Sequence, residues 1–303
     1  MTLPVSPTQS SPPLCDYEGT DYRADFWTGH GRDYEDLAER IALTRLLPNR
    51  GECLIDIGGG FGRLLPLYAG HRKIVLMDPS KSQLCQAREA HGDSRITYVA
   101  ANLYGMPFLP GSFDTAVMVR VLHHLPDVSG AFSAIHRILS PKASFILEFA
   151  NQRNLKAILR YALRRQAHNP FSFEPYEFAP LHFDFQPAYV QRHLLEAGFQ
   201  IGQYLGVSQF RISLLKRIIP APVLARLDGW LQVPAGHLRL TPSVFVSARA
   251  SDSLPQGTSL SIFCCPSCHS ADLSTEPDSL RCGGCGRRWS TTDGIYDFRQ
   301  PLT

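Results

Sequence analysis

The sequence has no run approaching the roughly 18 continuous apolar residues of a membrane span, so none of its segments is expected to cross a bilayer. It also lacks a basic start followed by an apolar stretch. Residues 1–14 are rich in proline and serine and read as a disordered tail rather than a signal peptide. Charge of one sign is scarce: 30 basic against 27 acidic residues leave a net +3, too little to argue for a nucleic-acid partner from the total alone. A disulfide framework is excluded by the spread of the eight cysteines, five of which crowd between Cys264 and Cys285 while Cys15, Cys53 and Cys85 lie apart. A reducing, cytoplasmic setting is expected. Two nucleotide signatures fail as well. Arg63 stands where the dinucleotide fingerprint needs its third glycine, and no Gly-Lys-Ser/Thr follows to make a phosphate loop.

What remains is a chain of 303 residues, 44% apolar, enough for one large core and a small second module. Short apolar runs at residues 53–57, 73–78, 96–99, 113–119 and 144–149 alternate with helical patterns at 62–68, 81–91 and 128–139, the order of βαβ units around a parallel sheet. An amphipathic helix is expected over 34–47, with Asp33 as its N-cap. The alternation then breaks into an insertion, 151–190, of the kind that covers a substrate site. Beyond it, a helix over 189–197 ends at Gly198, strands are expected at 199–207 and 244–249, and a Leu/Ile/Arg-rich stretch lies between them. The polar run 251–261 reads as a linker. The expected organisation is thus a tail (1–16), an α/β domain (17–250), the linker, and a module over 262–303.

The sharpest feature is Leu54-Ile55-Asp56-Ile57-Gly58-Gly59-Gly60-Phe61-Gly62, a buried strand running straight into a glycine turn. Glycines there permit a tight turn and let a nucleoside approach the backbone. A second acid, Asp78, ends the next strand 22 residues after Asp56. Its carboxylate can accept hydrogen bonds from both ribose hydroxyls. The competing reading of the glycines alone is an ordinary strand-to-helix turn.

This arrangement resembles motif I and the following acidic strand end of class I S-adenosylmethionine (SAM)-dependent methyltransferases. The resemblance extends over roughly residues 34–249, through Val99-Ala100-Ala101-Asn102-Leu103 and Ser112-Phe113-Asp114-Thr115-Ala116-Val117 to Val121-Leu122-His123-His124-Leu125. That last run is similar to the type 11 subgroup containing the quinone-biosynthesis C-methyltransferases. The resemblance implies a Rossmann-like, seven-stranded, mostly parallel sheet, with SAM as cofactor. It implies that Asp56, Gly58, Gly59, Gly60 and Gly62 form the cofactor turn, that Asp78 and Pro79 meet the ribose, and that Asn102 and Leu103 meet the adenine. Arg120 would lie beneath the methionine portion. Asn102 stands where most members carry Asp; an amide can still contact adenine.

With the methyl group already activated, such an enzyme chiefly aligns a nucleophile in line with the methyl–sulfur bond. A general base helps a phenol, amine or carbon acid, and His123, His124 and His182 are candidates. The adjacent histidines equally suit packing and loop hydrogen bonds. In Leu181-His182-Phe183-Asp184-Phe185 an extended backbone would put His182 and Asp184 on one face, as a base with its orienting carboxylate or as a surface pair. Tyr17, Tyr22, Phe26 and Trp27 suit either a lid over the cofactor or a satellite core.

Charge is unevenly spread: residues 151–217 hold nine Lys or Arg against four acids. Within them, Arg153, Lys156, Arg160 and Arg164 form a cationic helical stripe opposite Leu155, Ile158, Leu159 and Ala162. A solvated face, RNA phosphates and an anionic membrane surface all fit, and Arg211, Lys216 and Arg217 repeat the choice.

At the far end, Cys265-x-x-Cys268 and Cys282-x-x-Cys285 are separated by 13 residues, the spacing of a structural tetrathiolate zinc site. Cys264 and His269 are alternative ligands that break the pairing. A module of about 40 residues has too little core to fold without metal. The segment resembles a Trm112-type zinc ribbon through Trp289-Ser290-Thr291-Thr292-Asp293-Gly294-Ile295, departing at Tyr296, where that family usually has Pro. Such ribbons partner methyltransferases of RNA or protein, so a protein partner through the ribbon is one expectation. The sequence therefore predicts a SAM-dependent methyltransferase acting on a small or lipid-like acceptor. The alternatives are an RNA or translation-factor acceptor, or a cofactor-fold binding protein without catalysis.

Overall fold

The computed structural model describes residues 12–13, 18–19, 32–251 and 261–302. Tail residues 1–11 and 14–16, the aromatics Tyr17, Tyr22, Phe26 and Trp27, and linker residues 252–260 lie outside the described residues.

The first five strands are β1 (Gly51–Ile57), β2 (His71–Asp78), β3 (Ile96–Ala100), β4 (Phe113–Met118) and β5 (Leu139–Ala150). They pair parallel in the order β3-β2-β1-β4-β5. Their near-continuous apolar runs follow from burial on both faces: Leu54, Ile55, Val75 and Leu76 are almost wholly inaccessible. A hairpin, β6 (Tyr176–Ala179) and β7 (His182–Asp184), stands apart from this sheet. Then β8 (Phe199–Val207) and β9 (Ser243–Ala250) close the β5 side, with β9 antiparallel to both neighbours.

The helices are α1 (Asp33–Leu46), α2 (Lys81–Ala90), α3 (Val128–Ile138), α4 (Leu155–Ala162), α5 (Pro187–Glu196), α6 (Ser213–Ile218) and α7 (Ala221–Leu238). Ser80 caps α2 by accepting from the Gln83 amide, and Asp127 caps α3 by accepting from Gly130. Asp33 is the first helical residue rather than the cap of α1; Arg32 precedes it with no side-chain capping bond, and the first turn relies on Asp33, Glu35 and Asp36 against the helix dipole. The helix expected over 62–68 is only a 3-10 turn, Leu65–Tyr68, because Gly62 takes φ +78° and Pro66 has no amide donor. The helix carrying the expected Arg153-to-Arg164 stripe ends at Ala162, and the chain then turns through a left-handed Arg164. Pro220 splits the Leu/Ile/Arg-rich stretch into α6 and α7. No helix among the described residues is long and apolar enough to cross a membrane.

The larger correction concerns the sheet, which has eleven strands instead of seven. The C-terminal segment supplies β10 (Leu273–Glu276), β11 (Ser279–Cys282), β12 (Arg288–Ser290) and β13 (Ile295–Leu302). β13 runs parallel to β3, pairing Ile295 with Tyr98 and Asp297 with Ala100. The edge that β3 would otherwise expose is covered in this way. Phe263, Leu280, Trp289 and Phe298 belong to the same apolar cluster as Phe108 and Phe113, so the module shares the main core.

Candidate cofactor cleft and cysteine cluster

Strand order reverses between β1 and β4, and at such a switch point the loops leaving the strands part to leave a crevice. A half-open cleft lies there. Its walls include Asp56, Gly58, Gly59, Gly60, Asp78, Pro79, Leu103, Arg120 and His124. The turn after β1 is tied to β2 by the amides of Gly58 and Gly59, both donating to the Met77 carbonyl at 2.7 and 3.2 Å. Gly58 has φ +71°, and a Cβ on it would lie 2.3 Å from Val121 Cγ2, so no other residue fits.

Asp78 is the last residue of β2, and its two oxygens are held by different amides: Gly60 donates to Oδ2 at 2.9 Å and Ser80 to Oδ1 at 2.8 Å. The carboxylate is thus fixed at the cleft wall with lone pairs left for further donors. Asp56 sits deeper. Burial pushes its carboxyl up to about 7, against the Tyr68 hydroxyl that donates to it at 2.9 Å.

Sequence reasoning missed the support behind Arg120. Arg120 takes a left-handed φ of +60°, its amide donates to Glu148 Oε2 at 2.9 Å, and its guanidinium is clasped by Glu39 of α1. Glu39 is 1% exposed and also binds Arg63, another cleft residue, which in turn meets Asp36. Burial raises the Glu39 carboxyl, but the guanidinium groups of Arg120 and Arg63 outweigh it and hold it below the usual carboxylate range. The available signal was an acid one position past the Tyr34, Ala38, Ala42 stripe, where an amphipathic helix turns into the core.

Two expected cofactor residues stand off the cleft. Gly62 packs against Leu65, Ala87 and His91, which leave a Cβ no room. Asn102 accepts from the Tyr104 amide at 2.9 Å and so caps the short turn Leu103–Gly105. Asn and Asp cap comparably, so Asn can stand here in place of the usual Asp without loss of the cap.

His123, His124 and His182 come together, with ring centroids 3.9 Å apart for the first pair and 4.8 Å for the second. His124 Nδ1 lies 3.1 Å from the Leu181 carbonyl, which assigns it the proton and makes Nε2 the acceptor nitrogen. Burial holds both His123 and His124 below the ordinary imidazole range, so they are neutral near pH 7. The expected His182–Asp184 pair does not form: no hydrogen bond joins them among the described residues. His182 Nδ1 is 2.8 Å from the Pro180 carbonyl, whereas Asp184 lines a second cleft beside α4. Burial there pushes its carboxyl up to about 6 despite the charge of Arg211.

The sulfurs of Cys265, Cys268, Cys282 and Cys285 lie within 4.8 Å of one another. Cys265 and Cys285 are 3.7 Å apart and Cys268 and Cys282 3.4 Å. Sulfurs at about 2.3 Å around a tetrahedral ion would stand about 3.8 Å apart, so the donor set fits zinc. The two turns are alike: the amides of His269 and Gly286 donate to the carbonyls of Cys265 and Cys282, each from a left-handed backbone. His269 therefore serves the turn and not the cluster. Cys264 is buried elsewhere, with its amide on the Pro107 carbonyl.

Residues 55–147 match the family described as methyltransferase domain. The chain carries the class I methyltransferase fold. Solved structures that align with it include a SAM-dependent methyltransferase from Mesorhizobium loti, 23% identical, with a TM-score of 0.52 over 71% of this chain and 99% of that one. A second is the Haloferax volcanii complex of the Trm112 methyltransferase activator with a putative methyltransferase, 17% identical, with a TM-score of 0.53 over 76% of this chain and 96% of that one. Among curated relatives, the ubiquinone/menaquinone biosynthesis C-methyltransferase of Methylobacterium nodulans is 30% identical over 106 residues, 32% of this chain and 42% of that protein. The malonyl-[acyl-carrier protein] O-methyltransferase of Legionella pneumophila is 30% identical over 126 residues, 37% of this chain and 43% of that protein. The chain spans less than half the length of these curated relatives. The methyltransferase fold thus accounts for the seven strands β1–β5, β8 and β9, and the cleft lies on its glycine turn.

Proposed function

We propose that the chain is a SAM-dependent methyltransferase that delivers the methyl group, by in-line displacement, to a small or lipid-like acceptor. The observation that carries this reading is Asp78, held by two amides at the end of β2 across from the glycine turn. Asp78 would accept the ribose hydroxyls, Pro79 and Leu103 would flank the nucleoside, and the Gly58–Gly60 backbone would leave room for the rest. The bound cofactor would supply an electrophilic methyl on a sulfonium. The side chains then have only to orient the acceptor, exclude water and take up a proton where one is released. Arg120, clamped by Glu39, forms a rigid wall, and neutral His124 presents Nε2 as the proton acceptor. In the cysteine module, Cys265, Cys268, Cys282 and Cys285 would hold a structural zinc ion with no open position.

Titration with S-adenosylhomocysteine tests the reading: micromolar binding is expected, with none for a nicotinamide dinucleotide. Asp78→Ala should lower the affinity roughly tenfold to a hundredfold through lost charge-assisted hydrogen bonds. Tight dinucleotide binding, or unchanged affinity in Asp78→Ala, overturns it. Binding without methyl transfer to any acceptor would favour the non-catalytic cofactor-fold protein. A second reading, with RNA or a translation factor as acceptor, is supported by the cysteine module and by likeness to the methyltransferase solved with Trm112. It predicts that transfer rates depend on the module even when homocysteine-analogue binding does not.

A further inference from the structure

Helices α4 and α6 have no fully buried residue, and only Ala157 and Ile158 of α4 are half-buried. Leu155, Leu159 and Leu163, at i, i+4 and i+8, are 55, 53 and 64% exposed. A helix beside a core ordinarily hides such a stripe, and contiguous exposed apolar surface marks an interaction site. Lys156, Arg160, Arg164 and Arg165 surround these leucines, all exposed, and none forms an ion pair among the described residues. No acid occurs from Asn151 to Ser172. Ile212, Leu214 and Ile218 on and beside α6 are also more than half exposed, next to exposed Arg217.

The two helices are not separate patches. Leu155, Leu159 and Leu163 share with Ile212 and Leu238 the walls of a broad open cleft. At its inner end lie Gln152, 2% exposed with Oε1 unpartnered, and Gln209, whose Nε2 is buried and unpartnered. Buried amide atoms ordinarily have a partner, so these two give the inner wall of the cleft hydrogen-bonding capacity for water or a polar group. An apolar mouth with a cationic collar and a polar interior fits an amphiphile at an anionic surface.

We propose that the α4–α6 face docks on an anionic lipid bilayer, its leucines entering the headgroup boundary and its arginines meeting lipid phosphates. The leucine stripe favours a bilayer over RNA, while the exposed rings of Tyr161 and Phe171 suit both, since rings stack on bases and also sit at a headgroup boundary. Bases stack on aromatic rings and phosphates need only cations, so leucines at i, i+4 and i+8 give RNA nothing, while a bilayer needs both components. That a chain-bearing acceptor then enters the cleft from the bilayer rests on the methyltransferase reading; docking itself does not.

The test is co-sedimentation of the full chain with vesicles, either phosphatidylcholine alone or phosphatidylcholine and phosphatidylglycerol in equal parts. The chain should pellet with the anionic vesicles only, and less so as salt is raised. Arg160→Gln with Arg164→Gln should lower partitioning roughly thirtyfold. Leu159→Glu with Leu163→Glu should abolish it. Unchanged titration with S-adenosylhomocysteine in both variants would show that the fold is intact. A chain that stays in solution with both vesicle types overturns the proposal. So does binding of single-stranded RNA that falls in the arginine variant and not in the leucine variant. Vesicle binding by a chain that ignores S-adenosylhomocysteine would leave docking standing and remove the methyltransferase reading instead.

Discussion

The seven strands of the methyltransferase fold and the four of the cysteine module lie in one sheet yet are held by different means. In the first, both sheet faces carry large apolar clusters, so side-chain burial alone can fix the strands. In the second, the strands are three to eight residues long and many of their residues are exposed. The module's few buried aromatics lean on Phe108 and Phe113 of the larger body, and its two turns bring four cysteine sulfurs together. The difference shows that a spacing of cysteines marks where a ligand set lies, but not where a cooperative unit ends.

Removing the zinc proposed for the four cysteines should have the largest effect and should divide the two regions. Structural zinc sites contribute on the order of 10 kcal/mol in small peptides, so Cys282→Ser is expected to lose bound zinc by elemental analysis and to expose residues 261–302 to limited proteolysis. The methyltransferase region should still bind S-adenosylhomocysteine. A single transition that takes both regions at once would break the comparison and make the whole sheet one cooperative unit.

Within the methyltransferase region, Glu39→Ala should be the most damaging single change. It leaves Arg120 and Arg63 without their shared carboxylate in a mostly buried setting, at a cost of about 3 kcal/mol, visible as a lower thermal midpoint. The module should be untouched, because Glu39 lies on α1 at the opposite side of the sheet's switch point from β13. If Glu39→Ala instead releases zinc, the two regions are mechanically one.

The sequence made the parallel strands legible because burial on both faces writes itself as unbroken apolar runs such as Leu54 to Ile57. The glycine turn and Asp78 were legible because only a few residue types satisfy a positive φ or a strand-end acceptor. Glu39 was hidden, since its role depends on Arg120 arriving from 81 positions away. The pairing of β13 with β3 was hidden for the same reason: a strand edge leaves no mark on which distant segment covers it. Gly62 is ambiguous in the sequence because a glycine needed for close packing, as it is here against Leu65, Ala87 and His91, and one needed for a ligand look alike. The His182–Asp184 pair failed because adjacency along one strand does not say which cleft each side chain enters.

A smaller effect should follow from pH. Asp56 is held up to about 7, against about 3.9 in an unfolded chain. Its contribution to stability is therefore complete below about pH 4 and declines as pH rises through about 7, as the buried carboxyl is forced to give up its proton. The depressed imidazoles of His123 and His124 act in the opposite sense, adding stability as pH rises towards about 6.5. Asp56→Asn isolates the contribution of the buried carboxyl. In urea unfolding at about pH 5 and about pH 8, the variant should gain on the parent at the higher value. A constant difference between the two proteins would mean that Asp56 is ionised in the fold throughout.

The smallest effect is expected at the seam. Arg299 of β13 pairs with Asp297 at 2.7 Å and reaches the Pro79 carbonyl at 3.3 Å, next to the carboxylate proposed to hold the ribose. Lys81, at the start of α2, meets Asp293 of the module at 2.9 Å. Both contacts touch the turn that carries Asp78, so the module has a physical route to the cofactor cleft. The Arg299 side chain is still about one third exposed, and ion pairs in that setting are worth at most about 1 kcal/mol. Arg299→Ala should accordingly shift S-adenosylhomocysteine affinity by no more than about fivefold. A larger loss, with zinc content and thermal midpoint unchanged, would mean that the turn at Pro79 is positioned from the module side, and that the two regions differ in how they are built but not in what they serve.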